Sequence, residues 1–349
     1  MKYKNDYYKQ RDLDCLNKIN EITVNLPPYV YDFIVGRTDY TSALTRLNYC
    51  FDLRIFFDYL SKKVFFGKNI KEITLLDLEN ADISVYENFL AYLSHYVING
   101  KEESCNERAK ARKLATVRAF YKYFYNKGKI TTNVPSRVSL PKLHEKEIIR
   151  LDIAEMVKLI NIAENGENLS DRQRAYHKNT AVRDVAILTL FLGTGIRNSE
   201  LVGLNVDDVN FDDMSFVVTR KGGNRTILYF NDEVKNALLN WIDYRKGLQN
   251  LNKDENALFL SLQNKRITTR AIQQLVKKYA KIITPLKKIT PHKLRSTFGT
   301  NLYTETGDIY LVADFLGHSD INTTKKHYAA MSEELRRKAI KSVKIKEDD

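Results

Sequence analysis

Cysteine is scarce in this chain. Cys15, Cys50 and Cys105 are the three present among 349 residues, and they lie far apart, without the paired spacing of a zinc site or the even count of a disulfide framework. Free thiols are therefore expected. Uninterrupted apolar runs of the roughly 18 residues that a membrane helix needs are missing. The stretch from Met1 to Arg11 is polar and charged, without a signal-peptide core, so a cytoplasmic protein with no membrane partner is expected. Glycine (14) and proline (6) are too sparse for a fibrous or disordered chain, and neither an internal repeat nor a low-complexity tract is visible. What is present is an ordinary globular mixture, 43% hydrophobic and 28% charged. The length exceeds the roughly 100 to 200 residues of one domain and predicts two. Basic residues outnumber acidic ones by 56 to 43, a net charge of +13, which favours a polyanionic partner.

Proline resists helix interiors, and the pairs Pro27/Pro28 and Pro135/Pro141 bracket about one domain's length. Between them, helices are predicted over Thr41 to Lys62, Ser84 to Ile98 and Asn106 to Asn126, the last with Leu114, Val117, Tyr121 and Phe124 on one stripe. From Arg108 to Lys129 this segment carries eight basic residues and no acidic one. Arg108, Lys110, Arg112, Lys113, Arg118 and Lys122 are candidates for a phosphate-lined groove, against the alternative of a solvated basic face. The aromatic run from Tyr121 to Tyr125 reads as core. The predicted organisation is an N-terminal extension over 1–26, a helical domain over 27–135, a linker over 136–150 and a second domain over 151–349.

In the second domain an apolar helix is predicted over Thr180 to Gly193, closed by Gly193 and Gly195. Ser215 to Arg220 and Arg225 to Phe230 read as a hairpin around a Lys-Gly-Gly-Asn turn, and Ala257 to Ser261 as one short strand. Helices follow after Pro291 and over Ile309 to Leu316.

Five short segments carry chemistry: Thr194-Gly195-Ile196-Arg197-Asn198-Ser199-Glu200-Leu201, Lys221 on the hairpin, His292-Lys293-Leu294-Arg295, Leu316-Gly317-His318, and Tyr328. Guanidinium groups meet two phosphate oxygens at once, so Arg197 and Arg295 suit a phosphodiester gaining negative charge. His292 precedes Arg295 by one helical turn and can share its face. Taken singly, His292 and His318 would read as helix caps. Lys221 has Arg220 and Arg225 close by, so the residues alone leave open which cation acts. Glu200 can orient an arginine or histidine, or simply complement a helix N-terminus. His327 beside Tyr328 reads as incidental. No Asp/Glu cluster with metal-ligand spacing accompanies these residues, and neither metal nor cofactor is expected.

In order, identity and spacing the five segments resemble the tyrosine recombinase (phage integrase) family, and the resemblance covers essentially the whole chain. The interval from His318 to Tyr328 is ten residues, one longer than in many members. The resemblance implies a mostly α fold with a small β component, in which a SAM-like helical core-binding domain and an α+β catalytic domain clamp DNA in a C shape. It assigns Arg197, Lys221, His292, Arg295 and His318 to catalysis, Lys221 as general acid, and Tyr328 as the nucleophile of a 3′-phosphotyrosyl intermediate. It further implies specific core sites in double-stranded DNA, a tetrameric synapse and a Holliday junction. The segment from Ser332 to Ile345 is a candidate for helix exchange, and a paralogous recombinase or accessory protein would be a further partner. The implied setting is Xer-like chromosome dimer resolution or movement of a mobile element. Relaxation of the type IB topoisomerase kind and a catalytically silent DNA binder are the competing readings.

Overall fold

The computed structural model describes residues 6–142, 149–220, 223–248 and 256–317. The chain divides into two compact units, Met1–Lys146 and Glu147–Asp349. Both are mainly helical among the described residues.

The first unit contains α1 (Asp6–Thr23), α2 (Pro28–Val35), α3 (Ala43–Tyr59), α4 (Leu75–Glu79), α5 (Ile83–Tyr92), the hairpin β1 (Tyr96–Ile98) and β2 (Lys101–Glu103), and α6 (Glu107–Asn126). Local chemistry sets the boundaries. Pro28 opens α2, where a missing N–H costs nothing. The side chains of Ser42 and Asn106 accept hydrogen bonds from the Thr45 and Ala109 amides and start α3 and α6. The core is aromatic: Phe33, Phe56, Phe57, Phe89, Phe120 and Tyr121 are fully enclosed, and Tyr86 donates to the Tyr121 hydroxyl oxygen. Tyr121 and Phe124 are thus core residues, as the aromatic run suggested.

Three boundaries differ from those predicted. Residues 6–26 of the predicted extension are not separate, because α1 lies along α3 and buries Cys15 and Ile19, with Leu26 beyond its end, in the same core. The stripe is easily missed, since most of α1 is polar. The helix predicted to reach Ile98 stops at Tyr92. Asn99 and Gly100 both take positive φ, 52° and 72°, which is the Asn-Gly signature of a tight hairpin. The first unit also continues past 135: Pro135 and Val138 are buried, and Arg118 donates to both of their carbonyls.

One buried carboxylate organises this unit. Asp52 on α3 is fully enclosed and accepts from Arg112 (2.5 and 2.8 Å), Lys113 (3.1 Å) and Thr116 (2.8 Å) on α6. Its desolvation is offset only because every partner arrives from one helix. This corrects the reading of Lys113 as a DNA contact, since its side chain is turned inward to Asp52 and is 8% exposed. Arg118 is likewise engaged with backbone carbonyls rather than presented to a ligand. Arg108 and Lys122 remain exposed. Lys110 donates to Ser94, and Arg112 keeps about half of its side chain in solvent.

The second unit contains α7 (Ile153–Asn165), α8 (Asp171–His177), α9 (Ala181–Thr194), α10 (Asn198–Val202), β3 (Val209–Asn210), β4 (Ser215–Thr219), β5 (Arg225–Tyr229), α11 (Asp232–Lys246), α12 (Thr269–Ile283), α13 (Pro291–Thr306) and α14 (Ile309–Leu316). The expected hairpin is present as β4–β5, antiparallel with Ser215 opposite Tyr229, and β3 adds a short third strand. The strand expected over Ala257 to Ser261 reduces to two isolated bridges, Asn205 with Ala257 and Leu260 with Arg266. Its backbone is otherwise engaged: the Leu258 carbonyl accepts from the Trp241 indole at 2.8 Å.

Helix α9 is the apolar axis, packed by α7, α11 and α13, with Ile187, Leu188, Leu190 and Phe191 enclosed. A buried carboxylate interrupts it. Asp184, 1% exposed, accepts from Arg183 (2.7 Å), Lys278 (2.9 Å) and the Tyr279 hydroxyl (2.9 Å), tying α9 to α12. Burial and the neighbouring carboxylate push the Tyr279 pKa up, which keeps the phenol a donor.

Asp52→Ala leaves the buried Lys113 ammonium without a counter-charge, and is expected to lower stability by about 3–5 kcal/mol, measured as the first unit's urea unfolding transition. Replacing both partners, Asp52→Leu with Lys113→Met, should recover part of that loss. A single-variant loss below about 1 kcal/mol would contradict the role assigned to Asp52.

Candidate active site

The end of α9 turns on Gly195, whose φ of +61° is left-handed. A Cβ at this position would overlap the Phe298 ring, so both backbone sign and space require glycine. The turn buries Ile196 and delivers Arg197 to the position preceding α10. Glu200, 3% exposed, then accepts twice from Arg197, at its backbone amide (3.0 Å) and at Nη1 (2.7 Å). The orienting role anticipated for Glu200 is directed at Arg197.

Three guanidinium groups meet at the C-terminal end of α14. Arg197 Nη2 donates to the Leu316 carbonyl (2.9 Å) and the Gly317 carbonyl (2.8 Å). Arg295, brought by α13 and 5% exposed, donates through Nη1 to the Gly195 carbonyl (2.5 Å) and through Nη2 to the same Leu316 carbonyl. Arg220, just past β4, donates through Nη2 to the Phe315 carbonyl (3.3 Å). The last carbonyls of a helix lack intrahelical partners and carry the negative end of its dipole, so they are natural anchors for cations. Gly317 closes α14 with φ +55°, and a Cβ there would collide with the Arg220 guanidinium.

The resulting charge is lopsided. Arg197, Arg220 and Arg295 are gathered against the buried Glu200, with the exposed Asp314 nearby. Burial pulls the Arg220 pKa down from the usual arginine value; Glu200 opposes the shift, Arg197 reinforces it and Asp314 opposes it. Arg197 engages some of its five N–H donors with Glu200 and α14, and about a third of its side chain is open to solvent. Such an assembly can bind an anion bearing several acceptor oxygens.

Of the predicted site residues, the structure brings Arg197, Glu200 and Arg295 together. His292 is exposed in the first turn of α13, one turn before Arg295. Lys221, His318, Tyr328 and the segment 332–345 lie outside the described residues. Arg220 is the residue whose place the sequence did not reveal: beside Lys221 it reads as a flanking charge, and only its contact with α14 distinguishes it. A second basic surface also escaped notice. Arg270, Lys277 and Lys281 are exposed along α12, opposite the buried Ile272, Leu275, Val276 and Tyr279.

Residues 150–334 match the model of the phage integrase family. The tyrosine recombinase XerC of Caldanaerobacter subterraneus subsp. tengcongensis is 34% identical over 313 residues, covering 86% of this chain and 82% of that one. The tyrosine recombinase XerS of Streptococcus agalactiae is 29% identical, over 91% of this chain and 96% of that one. Among solved structures, the Tn1549 transposon integrase in complex with transposon right end DNA superposes with a TM-score of 0.63 at 20% identity, covering 89% and 98% of the two chains. The XerH site-specific recombinase bound to palindromic difH substrate gives a TM-score of 0.65 at 17% identity, over 94% and 86%. The chain belongs to the phage integrase family. Its enzymatic class is that of the tyrosine-type site-specific recombinases.

Gly195→Ala should lower the stability of the second unit by about 2–4 kcal/mol through the left-handed backbone and the overlap with Phe298. Gly307 shares the backbone sign (φ +66°) but has open space around it, so Gly307→Ala should cost only about 1–2 kcal/mol. Equal losses in urea unfolding would remove Phe298 from the explanation.

Proposed function

We propose that Arg197 and Arg295 hold the scissile phosphate of a specific DNA site while Tyr328 attacks it. The observation that supports this most is their shared anchor, the Leu316 carbonyl at the end of α14, two residues before His318 in the sequence. The phenol of Tyr328 has an ordinary pKa of about 10, and concentrated positive charge favours its ionised form. Attack on phosphorus forms a 3′-phosphotyrosyl bond and breaks the bond to the 5′ oxygen. Lys221 supplies the proton that leaves with the 5′ hydroxyl. His292 and His318 complete the hydrogen bonding to the phosphate, and Glu200 keeps Arg197 in register. The phosphotyrosyl bond retains the energy of the broken one, so a 5′ hydroxyl from a partner strand can reverse the step and pass through a Holliday junction without ATP.

The first unit contributes sequence-independent grip through the exposed Arg108 and Lys122 together with Lys110 and Arg112, and the exposed face of α12 adds Arg270, Lys277 and Lys281. The two units would close on the duplex as a clamp, and subunits would assemble as a tetramer on paired sites through the segment 332–345. The reaction serves chromosome dimer resolution or the integration and excision of a mobile element.

Incubated with nicked suicide substrates carrying candidate core sites, the protein should form an SDS-resistant adduct in EDTA, and Tyr328→Phe should form none. An adduct that persists in Tyr328→Phe would reject the nucleophile, and a strict requirement for Mg²⁺ would reject the mechanism. In DNA binding, Lys122→Ala should reduce the slope of log K against log salt by about one. Lys113→Ala, whose ammonium is committed to Asp52, should leave that slope unchanged. A smaller slope for Lys113→Ala would return that residue to the DNA surface.

A further inference from the structure

The Arg197–Arg295 pair accounts for two of the three guanidiniums at the end of α14. Arg220 is placed as deliberately as the other two. Its Nη2 donates to the Phe315 carbonyl, the residue immediately before the Leu316 carbonyl that anchors Arg197 and Arg295. Its guanidinium lies over Gly317, where a Cβ would displace it from this position. Its Nε is buried and has no hydrogen-bond partner among the described residues, and no carboxylate forms an ion pair with it among them. Burial disfavours the charged guanidinium and Arg197 adds to that, while Glu200 and Asp314 offset part of the cost without pairing directly with it; an anion bound among the three arginines would offset more. Arg118 also rests on backbone carbonyls, but without a second guanidinium bonded to the adjoining residues among those described; Arg220 stands out by its place beside Arg197 and Arg295.

We propose that Arg220 is a further catalytic residue, a third guanidinium that contributes positive charge to the scissile phosphate. The inference rests on the reading of Arg197 and Arg295 as the phosphate site. Arg220 closes the side of that site facing the β4–β5 hairpin, and its bond to α14 fixes it before the phosphate arrives, which is the condition under which a charge lowers a barrier most. A lysine would supply the charge but not the planar fork that can hold Phe315 and face a phosphate oxygen together.

Single-turnover cleavage is to be measured on two otherwise identical suicide substrates, one with a normal scissile phosphodiester and one with an uncharged methylphosphonate at that linkage. Arg220→Ala should cut cleavage of the phosphodiester by about 10- to 1000-fold, and Arg220→Lys by less. On the methylphosphonate, which presents less negative charge to neutralise, the Arg220→Ala loss relative to wild type should shrink to a few-fold. Because the comparison is made within one variant, a reduced fraction of folded protein affects both substrates equally. Equal losses on the two substrates would overturn the proposal and leave Arg220 as a structural brace for α14. Arg197→Ala is the control: if it too shows equal losses, or if wild type forms no adduct, the phosphate-site reading itself fails, independently of Arg220.

Discussion

The carbonyl of Leu316 is the point on which the described active site turns. It accepts from Arg197 and Arg295 together, while its neighbours on either side take Arg220 and a second bond from Arg197. Guanidiniums repel one another, and placing them around helix-end carbonyls offsets that repulsion with dipoles, to which Glu200 adds a single carboxylate on Arg197. The arrangement holds three cations close against one carboxylate among their direct partners in the described residues, which leaves the cluster with an excess of positive charge.

The carboxylates that are buried in this protein lie elsewhere and do different work. Asp52 joins α3 to α6 and Asp184 joins α9 to α12, each with three side-chain partners. Glu200 is the exception that touches the site, and it engages one edge of Arg197 while the other edge goes to α14. Acid is spent on orientation and cationic charge is kept for the ligand. Two glycines border the cluster: Gly195 leaves room for the Phe298 ring and Gly317 for the Arg220 guanidinium.

Much of this was legible in the sequence because it depends on local rules. The stripe from Leu114 to Phe124 and the Lys-Gly-Gly-Asn turn each report on a few neighbouring residues, and the helix and hairpin they predicted are present. The pairing of Arg197 with Glu200 is also local, three residues apart on one turn. What escaped was tertiary. Lys113 looks like any other lysine of a basic helix until Asp52, sixty-one residues earlier, is placed beneath it. Helix α1 was overlooked because its few apolar residues matter only once α3 lies alongside. The Asn99-Gly100 turn was a local signal passed over, hidden inside an apolar run that suited a helix equally well.

Arg220 falls between these two cases. Its neighbour in sequence is the lysine expected to act on the leaving oxygen, and adjacency alone made the two look interchangeable. The fold gives Arg220 a partner of its own: it is committed to α14 through Phe315, ninety-five residues away, and lies over Gly317. A side chain so anchored is unsuited to carrying a proton, because arginine stays charged and this one is held in place. On the proposed mechanism, charge stabilisation would fall to the arginine, whose charge is fixed, and proton transfer to the lysine, whose ammonium can titrate.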